Sequence, residues 1–248
     1  MTNERIDLKK EQQASIDRPR YKYSVMARIL FITMDVLTGR QVTLSKAKLL
    51  ETLACIPYRE WEIRQYIRLT RRYRKREFVE WANGIKKWGR EAQDNEYTHL
   101  LIINEKMKED GMKDAWYLFP LIPFIMVMVY VPFAKLLTLF RIRRAFLFNA
   151  EFEDHAEHIY AQFVREHPEW DEQKVDNPLV KAYADVETWG DVFRRVGLDE
   201  RDHRNASFIA CGKPEFVAEY EGDALRWAKA IRPRGCKRGH GSHFNIKF

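Results

Sequence analysis

The chain of 248 residues is long enough for one large domain or two small ones, and 46% of it is hydrophobic and 32% charged. This composition excludes a disordered chain and a polytopic membrane protein. An excess of 43 Lys and Arg over 36 Asp and Glu gives a net charge of +7, which favours an anionic partner surface, either phospholipid or nucleic acid.

Helix-forming residues dominate the chain, so we predict an almost entirely α-helical protein. We expect a flexible arm over residues 1–20, a helical domain over 21–212, and a short helix with a basic tail over 213–248. The predicted helices cover, in chain order, residues 22–37, 43–56, 77–109, 141–167 and 187–211. Pro57 is expected to kink or interrupt the second of them, and Gly84 or Gly89 is the weak point of the third.

Two other features concern the environment of the protein. Three widely separated cysteines, Cys55, Cys211 and Cys236, form neither a zinc-type pair nor a disulfide framework, which indicates a reducing compartment. The first residues mix both charges and lack an apolar stretch, so no secretory signal is expected.

Metal-ligand residue types recur in a fixed order along four of the predicted helices. They are Glu51, the Glu-x-x-His pair Glu96 and His99, Glu153, and the second Glu-x-x-His pair Glu200 and His203. Each pair follows a lone glutamate at a similar distance, 45 residues in the first half and 47 in the second. Residues three apart share one helix face, so each pair can point at the same ion.

Four carboxylates and two histidines inside a four-helix bundle are the ligand set of di-iron and di-manganese proteins. The alternative is that these residues lie on solvated helix faces, which disagrees with their apolar context. The ligand types suit iron and manganese alike, so the metal stays open at this point.

At these residues the sequence resembles the alternative oxidase family, whose signatures are LET, NERMH, LEEEA and DEAHH. The corresponding segments are LET at 50–52, NEYTH at 95–99, FEDHA at 152–156 and DERDH at 199–203. The resemblance covers residues 28–208 and keeps all six ligand positions. It departs from the family at Tyr97 and Thr98, at His155, and at Asp202, which replaces a histidine.

The resemblance implies a ferritin-like four-helix bundle with additional amphipathic membrane-associating helices, two iron ions, quinol and O₂ as substrates, and a homodimer. It also implies that Tyr160, seven residues after the third glutamate, lies close to the metals. We expect the quinol to bind beside Leu50, His155 and Ala156. Asp199 is expected either to hydrogen-bond a ligand histidine or to be an ordinary helix-surface acid.

A basic stretch with interleaved aromatics, from Arg59 to Arg76, suits either nucleic acid or an interfacial membrane helix. The uncharged residues 118–134 favour the membrane and argue against a nucleic-acid partner. If that segment crossed the bilayer once, the two halves of the ligand set would lie on opposite sides and could not meet. We therefore expect attachment to one leaflet, at the cytoplasmic face of a bacterial inner membrane.

These observations lead to three hypotheses. The first is a monotopic di-iron quinol:oxygen oxidoreductase that reduces O₂ to water. The second keeps the metal centre in a monooxygenase or desaturase that acts on a lipid-like or quinone-type substrate. The third is a non-catalytic, ferritin-like iron-binding membrane protein.

Overall fold

The computed structural model describes residues 6–220, and within that range the chain is helical, with one isolated β-bridge between Lys174 and Thr188. This confirms the all-α prediction. The seven α-helices of the described range are α1 (Leu8–Asp17), α2 (Val25–Thr38), α3 (Leu44–Arg72), α4 (Arg76–Glu109), α5 (Leu121–Glu166), α6 (Pro178–Tyr183) and α7 (Trp189–Cys211). Short 3₁₀ turns, among them Pro214–Phe216, connect or follow them. The predicted basic tail from residue 221 onward lies outside the described residues.

Polar side chains set the helix starts. The Thr43 side chain accepts a hydrogen bond from the Lys46 amide at 3.1 Å, and Thr188 does the same for the Asp191 amide at 3.2 Å. Each bond satisfies one of the free N–H groups at a helix N-terminus. Helix α2 ends at Gly39, whose φ of +83° favours glycine.

Helices α3, α4, α5 and α7 form the four-helix bundle, with an aromatic core. Trp61 of α3 packs against Trp88 of α4 and Phe146 of α5, at ring-centroid distances of 4.8 and 4.7 Å. All three rings are buried, and burial of one such ring contributes roughly 4–6 kcal/mol of gross transfer free energy. Trp61 lies within the basic stretch from Arg59 to Arg76, but its ring belongs to the core and is not available to a membrane interface.

Two expected interruptions do not occur. Helix α3 continues through Pro57, since buried neighbours on both sides, including Leu53 and Tyr58, pack the helix in place. Helix α4 is continuous through Gly84 and Gly89. A Cβ at Gly89 would lie 3.0 Å from the carbonyl oxygen of Tyr58, so this glycine lets α3 and α4 approach closely.

The N-terminal region is not a flexible arm over residues 8–17, where α1 packs on α5 and α7. Glu11 and Ser15 are buried there, and Arg201 of α7 donates to the Glu11 carbonyl at 2.7 Å and to the Ser15 hydroxyl at 2.8 Å. The prediction of a flexible arm was wrong for these residues. Polar residues such as those of α1 are usually exposed, and the sequence does not show that Arg201 binds them in a buried contact on the bundle.

Helix α5 is 46 residues long and carries both the uncharged segment and Glu153. It kinks at Arg141, which has non-helical backbone angles (φ −142°, ψ 53°). Within the described range it is the one helix with the length and composition to cross a membrane, and only 17% of its apolar window is buried.

The first half of α5 and helix α2 together expose a broad apolar surface. Its members, each at least half exposed, are Val25, Ile29, Ile32 and Val36 of α2, and Leu121, Phe124, Ile125, Met128, Val129, Leu136 and Phe140 of α5. A patch of this extent is unusual on a soluble monomer and marks an interaction surface. Below, "apolar surface" refers to these residues.

Candidate metal centre

All six predicted ligands converge in the middle of the bundle. Glu51 comes from α3, Glu96 and His99 from α4, Glu153 from α5, and Glu200 and His203 from α7. The three-residue spacing of each Glu-x-x-His pair places both side chains on the inner face of its helix. The alternative of solvated surface residues is excluded, because each of the six side chains is at most 5% exposed.

The donor atoms form two overlapping groups. One group joins Glu51, Glu96, His99 and Glu200, the other joins Glu96, Glu153, Glu200 and His203, and the atoms of each group lie within 4.8 Å of one another. Glu96 and Glu200 belong to both groups, as expected for carboxylates that bridge two ions. His99 Nδ1 lies 3.0 Å from Glu200 Oε1, and His203 Nδ1 lies 2.8 Å from Glu96 Oε1.

Eight buried oxygen and nitrogen atoms of the six candidate ligands have no hydrogen-bond partner within the described part of the protein. The orphaned atoms are Glu51 Oε2, both carboxylate oxygens of Glu96 and of Glu200, Glu153 Oε2, and Nδ1 of His99 and of His203. An unpaired buried carboxylate is costly, so each such atom needs an explanation. Coordination of two divalent cations supplies one for all of them, and the oxygen and nitrogen set fits iron.

Burial and the charges of neighbouring side chains shift the pKa values of several cluster residues in different directions. Burial raises the pKa of Glu51 and of Glu153 well above the usual carboxyl range. Burial opposes ionisation of Glu96 as well, but the two histidines hold its pKa below the usual range. Burial would lower the pKa of His99 and of His203. Tyr183 and the neighbouring carboxylates nevertheless raise the pKa of His99, and Glu96 and Glu200 raise that of His203. Metal binding must therefore displace protons.

Asp199 lies on the outer side of His99. Its Oδ2 is 3.5 Å from His99 Nε2 and accepts hydrogen bonds from the Tyr183 hydroxyl at 2.6 Å and from the Asn95 side chain at 3.2 Å. Arg195 donates to the other carboxylate oxygen. An N–H at Nε2 facing this carboxylate leaves the Nδ1 lone pair of His99 directed at the ligand cluster. Asp199 is thus no ordinary surface acid.

The two lone glutamates each accept a hydrogen bond from a tyrosine on the helix that carries the other glutamate. Tyr160 of α5 donates to Glu51 of α3, and Tyr58 of α3 donates to Glu153 of α5 at 2.8 Å. Each tyrosine stands seven residues after the glutamate of its own helix, so two turns separate them on one face. Sequence analysis singled out Tyr160 from the resemblance and missed Tyr58, although the same spacing would have found it.

Two other polar neighbours of the cluster were missed. Asn149 donates to Glu153 at 2.9 Å, to Tyr58 and to Ser207. It stands four residues before Glu153, a helical spacing that could have indicated it. Tyr183 lies in the short helix α6, and no local sequence pattern singles it out.

A small cavity beside the cluster contains two of the three residues expected to bind quinol. Leu50 and Ala156 line it together with Tyr160 and Glu51. The free space is about 10 Å³, roughly one water molecule. His155 does not line this cavity. Its ring stacks on Phe31 of α2 at 4.1 Å, because a residue two positions after Glu153 points to another helix face.

Comparison with known families agrees with this geometry. A family model described as alternative oxidase matches residues 3–210. The chain belongs to the alternative oxidase family. Its members are membrane-associated di-iron oxidoreductases that act on quinol and O₂, and the buried Glu and His cluster fits a di-iron site. None of the curated proteins matches the chain significantly.

Proposed function

We propose that this protein is a di-iron quinol:oxygen oxidoreductase attached to one membrane leaflet. The observation that carries the proposal is the set of orphaned donors shared between two four-ligand groups, since it calls for two adjacent cations. Two bound iron ions would supply the one-electron redox chemistry that O₂ reduction needs. Two quinols provide the four electrons and four protons that convert one O₂ into two waters.

The protein side chains have defined roles in this reaction. Glu96 and Glu200, which belong to both ligand groups, would help to hold both ions, and Asp199 orients His99 and favours the tautomer with its proton on Nε2. The Tyr160 hydroxyl bonds to Glu51, so it stands between the ligand set and the cavity. In that position the hydroxyl can pass a proton, and with it an electron, between a quinol and the centre.

The cavity beside Leu50 and Ala156 is the proposed quinol site. Its other walls include Ala54, Phe152 and Ile159, an apolar lining suited to a quinone ring. At its present volume a ring does not fit, so we propose that side chains of α3 and α5 separate when the quinol enters. Helix α2 packs next to this region and carries part of the apolar surface, which supports an entry from the lipid side.

Attachment to one leaflet is supported by the apolar surface on α2 and α5 and by the position of Glu153 on the same helix as the uncharged segment. Val36→Asp with Val129→Asp should abolish binding to liposomes, because charged groups are expensive below the headgroups. Tyr97→Asp, at a residue that is 61% exposed on α4, is the matched control and should bind normally. Equal binding by both variants would contradict this orientation. The homodimer and the bacterial inner membrane stay predictions.

The test of the activity is oxygen uptake driven by a quinol, on purified protein in lipid with its iron content measured. The wild type should consume O₂ with about two irons per chain. Glu200→Ala, which removes a ligand of both groups, should lose iron and activity together. Uptake that survives Glu200→Ala rejects the proposal. Oxygen-18 appearing in an organic product would favour the monooxygenase, and bound iron without turnover would favour the iron-binding protein.

A further inference from the structure

A second, polar cavity reaches the metal centre from the other side of the ligand set. Its volume is about 480 Å³, and it lies between α4 and α7. Asp199 and His203 form part of its wall, so the cavity adjoins the ligand cluster directly. The quinol cavity is lined by different residues of α3 and α5 together with Glu96 and Glu200.

The polar cavity is strongly acidic in a protein whose net charge is +7. Its wall carries four carboxylates, Glu91 and Asp94 from α4 and Asp199 and Asp202 from α7, against the guanidinium of Arg195. Arg195 already donates to Asp199. Glu91 also lies 3.9 Å from the Lys87 ammonium, so the lining has an excess of negative charge and not a single sign of charge. Such an excess raises the local concentration of cations.

The residues that line the cavity differ in burial, and Asp199 is the most buried of the carboxylates, at 8% exposure. Asp94 is exposed, Glu91 and Asp202 are half-buried, and His203 is only 4% exposed. Asp202 Oδ2 accepts a hydrogen bond from Tyr220 at 2.8 Å, but its buried Oδ1 has no partner. Asp202 and the candidate ligand His203 both line the cavity, so the unpaired Asp202 oxygen is an acceptor for a positive ion in the same cavity as the ligand set.

We propose that this cavity is the entry route by which aqueous Fe²⁺ reaches the metal centre. Glu91 and Asp94 attract the hydrated ion, and Asp202 and His203 receive it as it loses water. The quinol cavity has a free volume of about 10 Å³, roughly one water molecule, which is too small for a hydrated cation. The protein therefore separates an aqueous entrance for metal from a lipid-side entrance for quinol. This inference rests on the proposed di-iron centre.

Cobalt uptake tests the proposal without turnover. Metal-free protein is mixed with Co²⁺ under anaerobic conditions, and visible absorption gives the rate while metal analysis gives the final content. Glu91→Gln combined with Asp94→Asn should load about tenfold more slowly at low salt, yet reach the wild-type content. Asp202→Asn, which keeps an acceptor for Tyr220, should also load slowly. The difference should shrink at high salt, where exposed charges are screened.

The matched control is Glu77→Gln combined with Glu80→Gln, which removes the same charge from α4 away from the cavity. It should load at the wild-type rate. Equal rates in all variants, or equal slowing of the control, would overturn the entry route while the centre stands. A wild-type protein that takes up no Co²⁺ would instead reject the centre itself, and the entry route with it.

Discussion

The buried contact between Arg201 and α1 provides a quantitative test of how the N-terminal helix is held. Arg201 is 2% exposed and donates to Glu157 at 2.7 Å, to the Ser15 hydroxyl and to Glu11. Arg201→Met removes the charge and keeps much of the volume. Glu157, which is fully buried, then keeps Arg18 and Ser15 as hydrogen-bond partners and the more distant Arg204 guanidinium, at 4.0 Å.

Removal of one partner of a buried ion pair typically costs about 3–5 kcal/mol, because the other charge stays buried. We therefore expect Arg201→Met to lower the free energy of unfolding by that amount. Glu157→Gln alone should cost a similar amount. The double variant should be more stable than the sum of both losses by about 2–3 kcal/mol, since neither charge is then left without its partner.

The assay is guanidinium unfolding of the detergent-solubilised protein, followed by helical circular dichroism at fixed metal content. Lys9→Met is the control, because Lys9 also links α1 to the bundle through Asp171, at 3.2 Å, but its side chain is 66% exposed. An exposed pair contributes about 0–1 kcal/mol. Equal losses for Arg201→Met and Lys9→Met, or strictly additive effects in the double variant, would refute a buried anchor for α1.

Three further predictions concern the site and its surroundings. Tyr160→Phe removes the hydroxyl that donates to Glu51. The iron content should stay unchanged, while quinol-dependent oxygen uptake falls about 100-fold. Full activity would contradict a role for the hydroxyl. Ala156→Leu fills the proposed quinol cavity. The KM for quinol should therefore rise about tenfold, equivalent to about 1.4 kcal/mol of binding free energy, while the iron content stays normal. An unchanged KM would mean that the quinol binds elsewhere. Burial alone would raise the pKa of Glu157, but Arg18 and Arg201 hold this pKa below the usual value. The ionised Glu157 carboxylate therefore stabilises the fold above about pH 4.3, and this stabilisation is lost as the pH falls below that value. The acid limb of the unfolding free energy should therefore be shallower in Arg201→Met than in the wild type, and identical limbs would contradict the assignment.

The sequence by itself determined the helical class and which six residues are the candidate metal ligands. Both are periodic properties: Glu96 and His99 share a helix face whatever surrounds them, and so do Glu200 and His203. Four helices that each carry inward carboxylates or histidines have few other ways to bury them than around common ions. The position of Tyr160 near the ligand set also follows from its spacing of two turns from Glu153 on one helix, although only the family resemblance indicated that this tyrosine matters.

Only the tertiary structure decided the features that depend on contacts between distant segments. Tyr58 matters because α5 brings Glu153 to its hydroxyl, and Tyr183 because α6 folds back onto Asp199. Residues 8–17 look like a polar arm until α7 supplies Arg201 as a buried partner. The physical reason is the same in each case. The burial and the hydrogen-bond partners of a side chain depend on which other helix packs against it, and the sequence of one helix does not specify that neighbour.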